Sequence, residues 1–170
     1  MRLLFRKFKG LGFILWQARH MFYHLLLGLV WAWFLREVWQ TFNWRYILLS
    51  VLGSFLPDIE HLFYFYGYGK KESYTREIIR LVKNRQWRML ALYISSGHKF
   101  NTNLSYHNFY FMAILSVIAA VSFMFAWQAG VLLLGAMILH YLFDMFDDWV
   151  TLGYINDNWK RWGRGKKEAS

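Results

Sequence analysis

A chain of 170 residues that is 57% hydrophobic and 22% aromatic, with 16 Phe, 11 Tyr and 10 Trp, carries more apolar surface than a soluble domain of this size can bury. It has no Cys, which excludes disulfides and thiolate metal sites, so any metal must be held by His and carboxylate. The net charge is +10, but Lys and Arg lie beside apolar stretches, where anionic membrane lipids are the near partner and nucleic acid is not expected.

The chain starts with a basic run from Met1 to Lys7 and a short apolar stretch from Leu11 to Trp16, with no small-residue cleavage site after it; this segment is expected to be retained. Windows of about 20 apolar residues, the length that spans a bilayer, then fall at Met21 to Val38, Tyr46 to Tyr66, Leu104 to Trp127 and Gly130 to Val150. The aromatic clusters at Trp31 and Trp33, Trp39 to Trp44, and Tyr64 to Tyr68 read as interface belts beside these spans. Between the second and third, residues 72–96 form a basic amphipathic stretch. It sets Tyr74, Ile78, Ile79 and Val82 against Arg76, Arg80, Lys83 and Arg85, and is expected to lie on the inner leaflet. Residues 158–170 are polar and basic, a frayed cytoplasmic tail after a single embedded domain over 1–157. The expected fold is therefore all-α: a polytopic membrane helical bundle of about four transmembrane helices plus a basic amphipathic interfacial helix.

Orientation follows from the basic residues. Residues 1–19 carry five Lys or Arg, residues 68–101 carry eight, and residues 157–170 carry five; Arg36 and Arg45 flank the first hairpin loop. Four crossings put the three richer segments on one side, which the positive-inside rule makes the cytoplasm, with both termini there in a multi-pass inner-membrane protein.

All six His and most of the acids lie in or beside apolar segments. Residues three or four apart share a helix face, so His20 goes with His24, Asp58 with His61, and His140 with Asp144 and Asp147. Four crossings bring these pairs, with His98 and His107, to one layer of the membrane. An Asp at mid-membrane costs roughly 2.5–3.5 kcal/mol on insertion scales, so Asp58, Glu60 and Asp144 together would cost about 10 kcal/mol. A structural Zn2+ site returns roughly 10–16 kcal/mol in small peptides, enough to offset that burden. The plainer readings differ by residue. His20 beside Arg19 suits a headgroup-facing position, Asp147 and Asp148 suit solvated interface charges, and His24 suits either a ligand or an interhelical hydrogen bond. Asp58, His61, His140 and Asp144 are harder to place without a cation.

The run Leu56-Pro57-Asp58-Ile59-Glu60-His61 resembles the Leu-Pro-Asp-Ile-Asp-His signature of the YdjM-like family of membrane-bound metal-dependent hydrolases. In the same order, His24-Leu25-Leu26 resembles that family's early His, and Gly97-His98-Lys99 with His107 resembles its Gly-His-Arg segment and second His. His140 and Asp144 resemble its late His-x-x-x-Asp. Glu60 stands where the family has Asp and Lys99 where it has Arg, and eight residues separate His98 from His107 where about four are expected. The family is distantly similar to zinc-dependent phospholipases C, so the resemblance implies a phosphoester substrate.

On this reading one to three Zn2+ ions are held by His24, Asp58, His61, His107, His140 and Asp144, N and O donors that suit zinc. A metal-bound water with its pKa lowered toward roughly 7 is the nucleophile. Asp58 bridges or orients that water, while His98 and Lys99 neutralise charge on the attacked group. The substrate is an anionic amphiphile of the cytoplasmic leaflet. Two rivals remain open: a membrane di-iron oxygenase, prompted by His20-x-x-x-His24, and a non-enzymatic metal-binding protein or cation carrier. The sequence leaves the oligomeric state open.

Overall fold

The structure is a computed structural model that describes residues 11–102 and 104–161, with side chains from residue 18 onward except 95, 96 and 98–101. Every regular element among the described residues is helical. α1 runs Leu11–Trp39 and α2 Trp44–Phe55; a 3-10 turn at Leu56–Asp58, α3 at Ile59–Phe63 and a π turn at Tyr64–Tyr68 continue the helical path. α4 is Ser73–Lys83, α5 Trp87–Asn101, α6 Phe109–Met124 and α7 Gln128–Leu152, with a closing 3-10 turn at Asp157–Lys160. Among the described residues, three stretches are long and apolar enough to cross a membrane: Ala18–Trp39, Trp44–Tyr68 and Gln128–Leu152. α6 is equally apolar but has 16 residues, about 24 Å at 1.5 Å per residue, just short of a hydrocarbon core of about 30 Å.

The third span expected at Leu104 therefore begins five residues later. Asn108 caps α6 by accepting a 2.8 Å bond from the Phe111 N–H, and its own Nδ2 donates to the Ser105 carbonyl at 2.6 Å. A cap of this kind fixes the first helical residue whatever the hydropathy of the residues before it. Residues 104–108 are thus a loop, and His107 lies in it rather than on a helix.

Two compact units divide the chain: residues 23–60 with 104–170, and residues 1–22 with 61–103. In the first, α7 packs against both α2 and α6. α1 joins them through a stripe at His24, Gly28, Ala32 and Leu35, its buried positions, while Phe22, Val30, Trp33 and Phe34 stay exposed. That spacing makes one narrow face for protein and leaves a wide apolar remainder for lipid. Membrane helices gain little from apolar burial against one another, so close approach through small residues holds them. A Cβ on Gly28 would stand 2.8 Å from the Val51 Cα. One on Gly53 would meet the Leu133 carbonyl and stand 3.0 Å from the Ala136 Cβ. Toward the other end, Leu35, Tyr46, Val131 and Leu132 form a core lined by Trp31, Trp39 and Leu49. The Trp31 Nε1–H donates to the Val131 carbonyl at 3.2 Å, and the Tyr46 hydroxyl to Gln128 Oε1 at 2.8 Å.

In the second unit α4 and α5 form a hairpin. Tyr74, Ile78 and Leu81 of α4 bury against Leu90 of α5, with Phe65, Tyr93 and Ile94 beside them. Tyr74 and Ile78 of the apolar face that the sequence sets toward the membrane are thus covered by α5, while Val82 stays exposed. Tyr74 stacks on Tyr93 with ring centroids 5.0 Å apart. Burial, with the Tyr93 phenol adjacent, pushes the Tyr74 phenol above its ordinary range. α4 ends in a 2.9 Å bond from the Gln86 N–H to the Leu81 carbonyl, with Arg85 left-handed at φ 55°, the geometry of a Schellman cap.

Candidate metal centre

Pro57 is the local cause of the site. It sits at the start of the 3-10 turn and offers no N–H, so α2 stops at Phe55 and its last carbonyls lose their helical donors. One of them, Ser54 O, accepts the Nδ1–H of His140 from α7 at 2.7 Å. A carbonyl only accepts, so His140 carries a proton on Nδ1, and Nε2 is the nitrogen whose lone pair the neutral ring would offer to a metal. That nitrogen faces two carboxylates: Asp144 Oδ2 at 3.1 Å and Asp58 Oδ1 at 3.9 Å.

Two more imidazoles point at Asp144. His24 Nε2 lies 3.9 Å from Oδ1, and His107 Nε2 lies 3.7 Å from Oδ2. His24 and His140 stack with centroids 3.9 Å apart and planes 17° from parallel. Both are fully buried. One donor atom each from His24, His140 and Asp144 lies within 4.8 Å of the other two, so this cluster could hold a metal ion.

Glu60 has a different part. Its Oε1 accepts the backbone N–H groups of Ser105 and of Tyr106, the latter at 2.9 Å. Its Oε2 lies 2.8 Å from His107 Nδ1. A carboxylate only accepts, so Nδ1 donates its N–H to Glu60, which fixes the ring with Nε2 turned toward Asp144. Glu60 is buried, and these bonds tie the start of α3 to the loop before α6. Substitution Glu60→Gln keeps the volume but removes the charge; carboxylates behind ligating imidazoles contribute 10–100-fold in metal affinity. Competition titration with a chromogenic chelator should show a loss of that size, with a helical circular dichroism spectrum unchanged.

The ring of Trp159 closes one side. Its Nε1–H donates to Asp148 Oδ2 at 2.9 Å, and its centroid lies 6.1 Å from that of His107 and 5.9 Å from that of Tyr141. Asp148 is buried rather than the solvated charge expected from its place near the end of α7, and Trp159 is docked although the tail from Asn158 is expected to be frayed. Burying an indole ring and giving its N–H an acceptor outweighs the polar character of its neighbours.

Of the residues singled out in the sequence, His24, Asp58, His107, His140 and Asp144 come together in one unit. His61 and His20 belong to the other unit, and the side chains of His98 and Lys99 lie outside the described residues. Glu60, the Ser54 carbonyl and Trp159 are contributions the sequence reading missed. A buried acid one residue before a signature His was the signal available for Glu60; for Ser54, a proline three residues on was the only one. No family model, no curated protein and no solved structure matches this chain.

Proposed function

We propose that this chain is a membrane-bound, zinc-dependent hydrolase acting on an anionic, phosphoester-containing lipid of the cytoplasmic leaflet, related to the YdjM-like hydrolases that its motifs resemble. One observation carries the reading: three imidazole nitrogens surround the carboxylate of Asp144 at 3.1, 3.7 and 3.9 Å. Hydrogen-bonded N and O atoms stand about 2.7–3.2 Å apart. Two donors that share a tetrahedral ion at about 2.0–2.2 Å stand roughly 3.3–3.6 Å apart. The 3.1 Å contact is of hydrogen-bond length and the other two lie just beyond the second range, and the Nδ1 partners of His140 and His107 make Nε2 the nitrogen each would offer to an ion.

The site is also open on one side. The His24 and His140 side chains are sealed, whereas those of Asp144 and Asp58 are 19% and 30% exposed. A closed structural site would have no such face. Asp58, held on its 3-10 turn at the open side, is placed to take a proton from an incoming water and to orient it. Glu60 keeps His107 aimed while charge changes at the centre. When bound, Zn2+ supplies Lewis acidity and lowers the pKa of a water toward roughly 7.

The test is phosphate release from a phosphatidic acid or isoprenyl phosphate in mixed micelles. Stripping metal should abolish it and Zn2+ should restore it. Asp58→Asn should retain metal and lose turnover by about 10²–10⁴-fold, the usual scale for a general base. Protein that takes up no divalent ion, or a loaded protein inert toward every anionic phosphoester offered, defeats the proposal.

A further inference from the structure

The hairpin of the second unit carries a feature that its own core does not use. From Val82 to Met89 every residue is exposed. Within and just after that run, Val82, Trp87, Met89 and Leu92 are 41%, 57%, 55% and 54% exposed. Lys83, Arg85 and Arg88 sit among them, and the chain has no Asp or Glu at all from Ile78 to Phe143. On α5, Trp87, Arg88, Met89 and Leu92 fall on one arc, opposite the Leu90, Tyr93 and Ile94 face that packs on α4. The tip is therefore cationic and apolar at once, with no acid on either helix turn to neutralise it.

We infer that the tip of the α4–α5 hairpin, through Val82, Trp87, Met89 and Leu92 with Lys83, Arg85 and Arg88, docks on the surface of a bilayer that contains anionic lipid. The chemistry of the two residue classes supports one occupant. Trp and long apolar side chains beside cations favour the headgroup boundary, where the ring or thioether enters the acyl edge and the guanidinium stays among phosphates. Lys and Arg near an anionic leaflet are attracted to it within a Debye length. The tip is also kept near such a surface by covalent means. It hangs between Tyr68, where one candidate span ends, and Phe109, where α6 starts, and α4 has only 11 residues, about 16 Å. This docking surface differs from the Tyr74, Ile78 face that the amphipathic pattern of α4 suggests, because α5 covers that face. It stands independently of the hydrolase reading.

The absence of Cys from the chain gives a direct test. Nitroxide labels on Met89→Cys and on Leu92→Cys, with Ser73→Cys as an exposed control at the start of α4, are placed in the full-length protein in proteoliposomes. Collision rates with oxygen and with a water-soluble nickel complex then report depth. In vesicles with phosphatidylglycerol, the oxygen-to-nickel ratio at 89 and 92 should be several-fold higher than in phosphatidylcholine alone, while residue 73 stays accessible to nickel in both. Arg85→Gln with Arg88→Gln in the same labelled chain should remove that difference. Labels equally open to nickel in both lipids would overturn the docking, and labels equally buried in both would overturn its dependence on charge. Protection by a single-stranded oligonucleotide without any effect of anionic lipid would assign the tip to nucleic acid instead. The two label positions guard against one variant that fails to fold, which circular dichroism identifies.

Discussion

Substitution of Asp144 by Ala is expected to strip the purified protein of stoichiometric divalent metal. Asp144 lies within 4 Å of all three imidazoles that converge on the cluster. If roughly 10–16 kcal/mol of ion binding is shared among about four ligands, one ligand carries about 3 kcal/mol, or about 100-fold in affinity. Asp144 serves three neighbours, so the loss should reach or exceed that figure. Elemental analysis after gel filtration, together with chelator competition, measures it. The paired variant Leu142→Ala, on the exposed side of the same helix, should keep the wild-type metal content. An Asp144→Ala protein that retains metal at wild-type affinity would remove this residue from the centre.

The second large effect should come from a residue with no functional group. Gly53→Ala places a methyl against the backbone of α7 at Leu133 and 3.0 Å from the Ala136 Cβ. A flexible side chain could step aside, but a carbonyl inside a helix cannot do so without moving the helix. Overpacking of a tight contact costs about 1–3 kcal/mol, and a backbone obstacle puts this case at the upper end. For a chain of 170 residues that corresponds to a fall in Tm of about 5–10 °C. Because the carbonyl that holds His140 belongs to the next residue, Ser54, metal affinity should fall in the same variant. Differential scanning fluorimetry in detergent, with Leu52→Ala on the exposed face of α2 as reference, separates a packing effect from a general loss of helix. Equal melting temperatures for the two would mean that α2 and α7 do not approach so closely.

Hydropathy made most of the fold legible. The windows from Met21, Tyr46 and Gly130 land within three residues of the ends of Ala18–Trp39, Trp44–Tyr68 and Gln128–Leu152, because lipid-facing residues must be apolar whatever the helices pack against. The window from Leu104 misplaces its start, since Leu104 and Tyr106 are apolar yet precede the Asn108 cap; the cap is a hydrogen-bond event that an average over residues cannot register. The partner of α4 was hidden for a related reason. α5 has a mixed sequence, and only the hairpin turn at Arg85 shows that it folds back onto Tyr74 and Ile78. For the candidate site, helical spacing identified His140 with Asp144 and put His24 and Asp58 at a matching depth. What spacing could not distinguish was whether an acid faces the centre or stands behind a ligand. Asp58 and Glu60 are two residues apart, and only the loop that carries His107 decides that the first opens on the cluster while the second holds a ring. Trp159 was missed because a tail is judged by its average composition, whereas one indole with a buried acceptor suffices to anchor it.

The way the cluster is assembled bears on how the protein is made. Its donors come from the first membrane helix, from the turn after the second, from the loop before α6 and from the last helix, so no ribosome-bound fragment that stops short of Asp144 contains the set. About three-fifths of the chain must be made before His107 can reach Glu60, and about four-fifths before His140 can reach Asp58. Glu60 therefore gains its partners with the loop before α6, and Asp58 gains His140 only with the final helix.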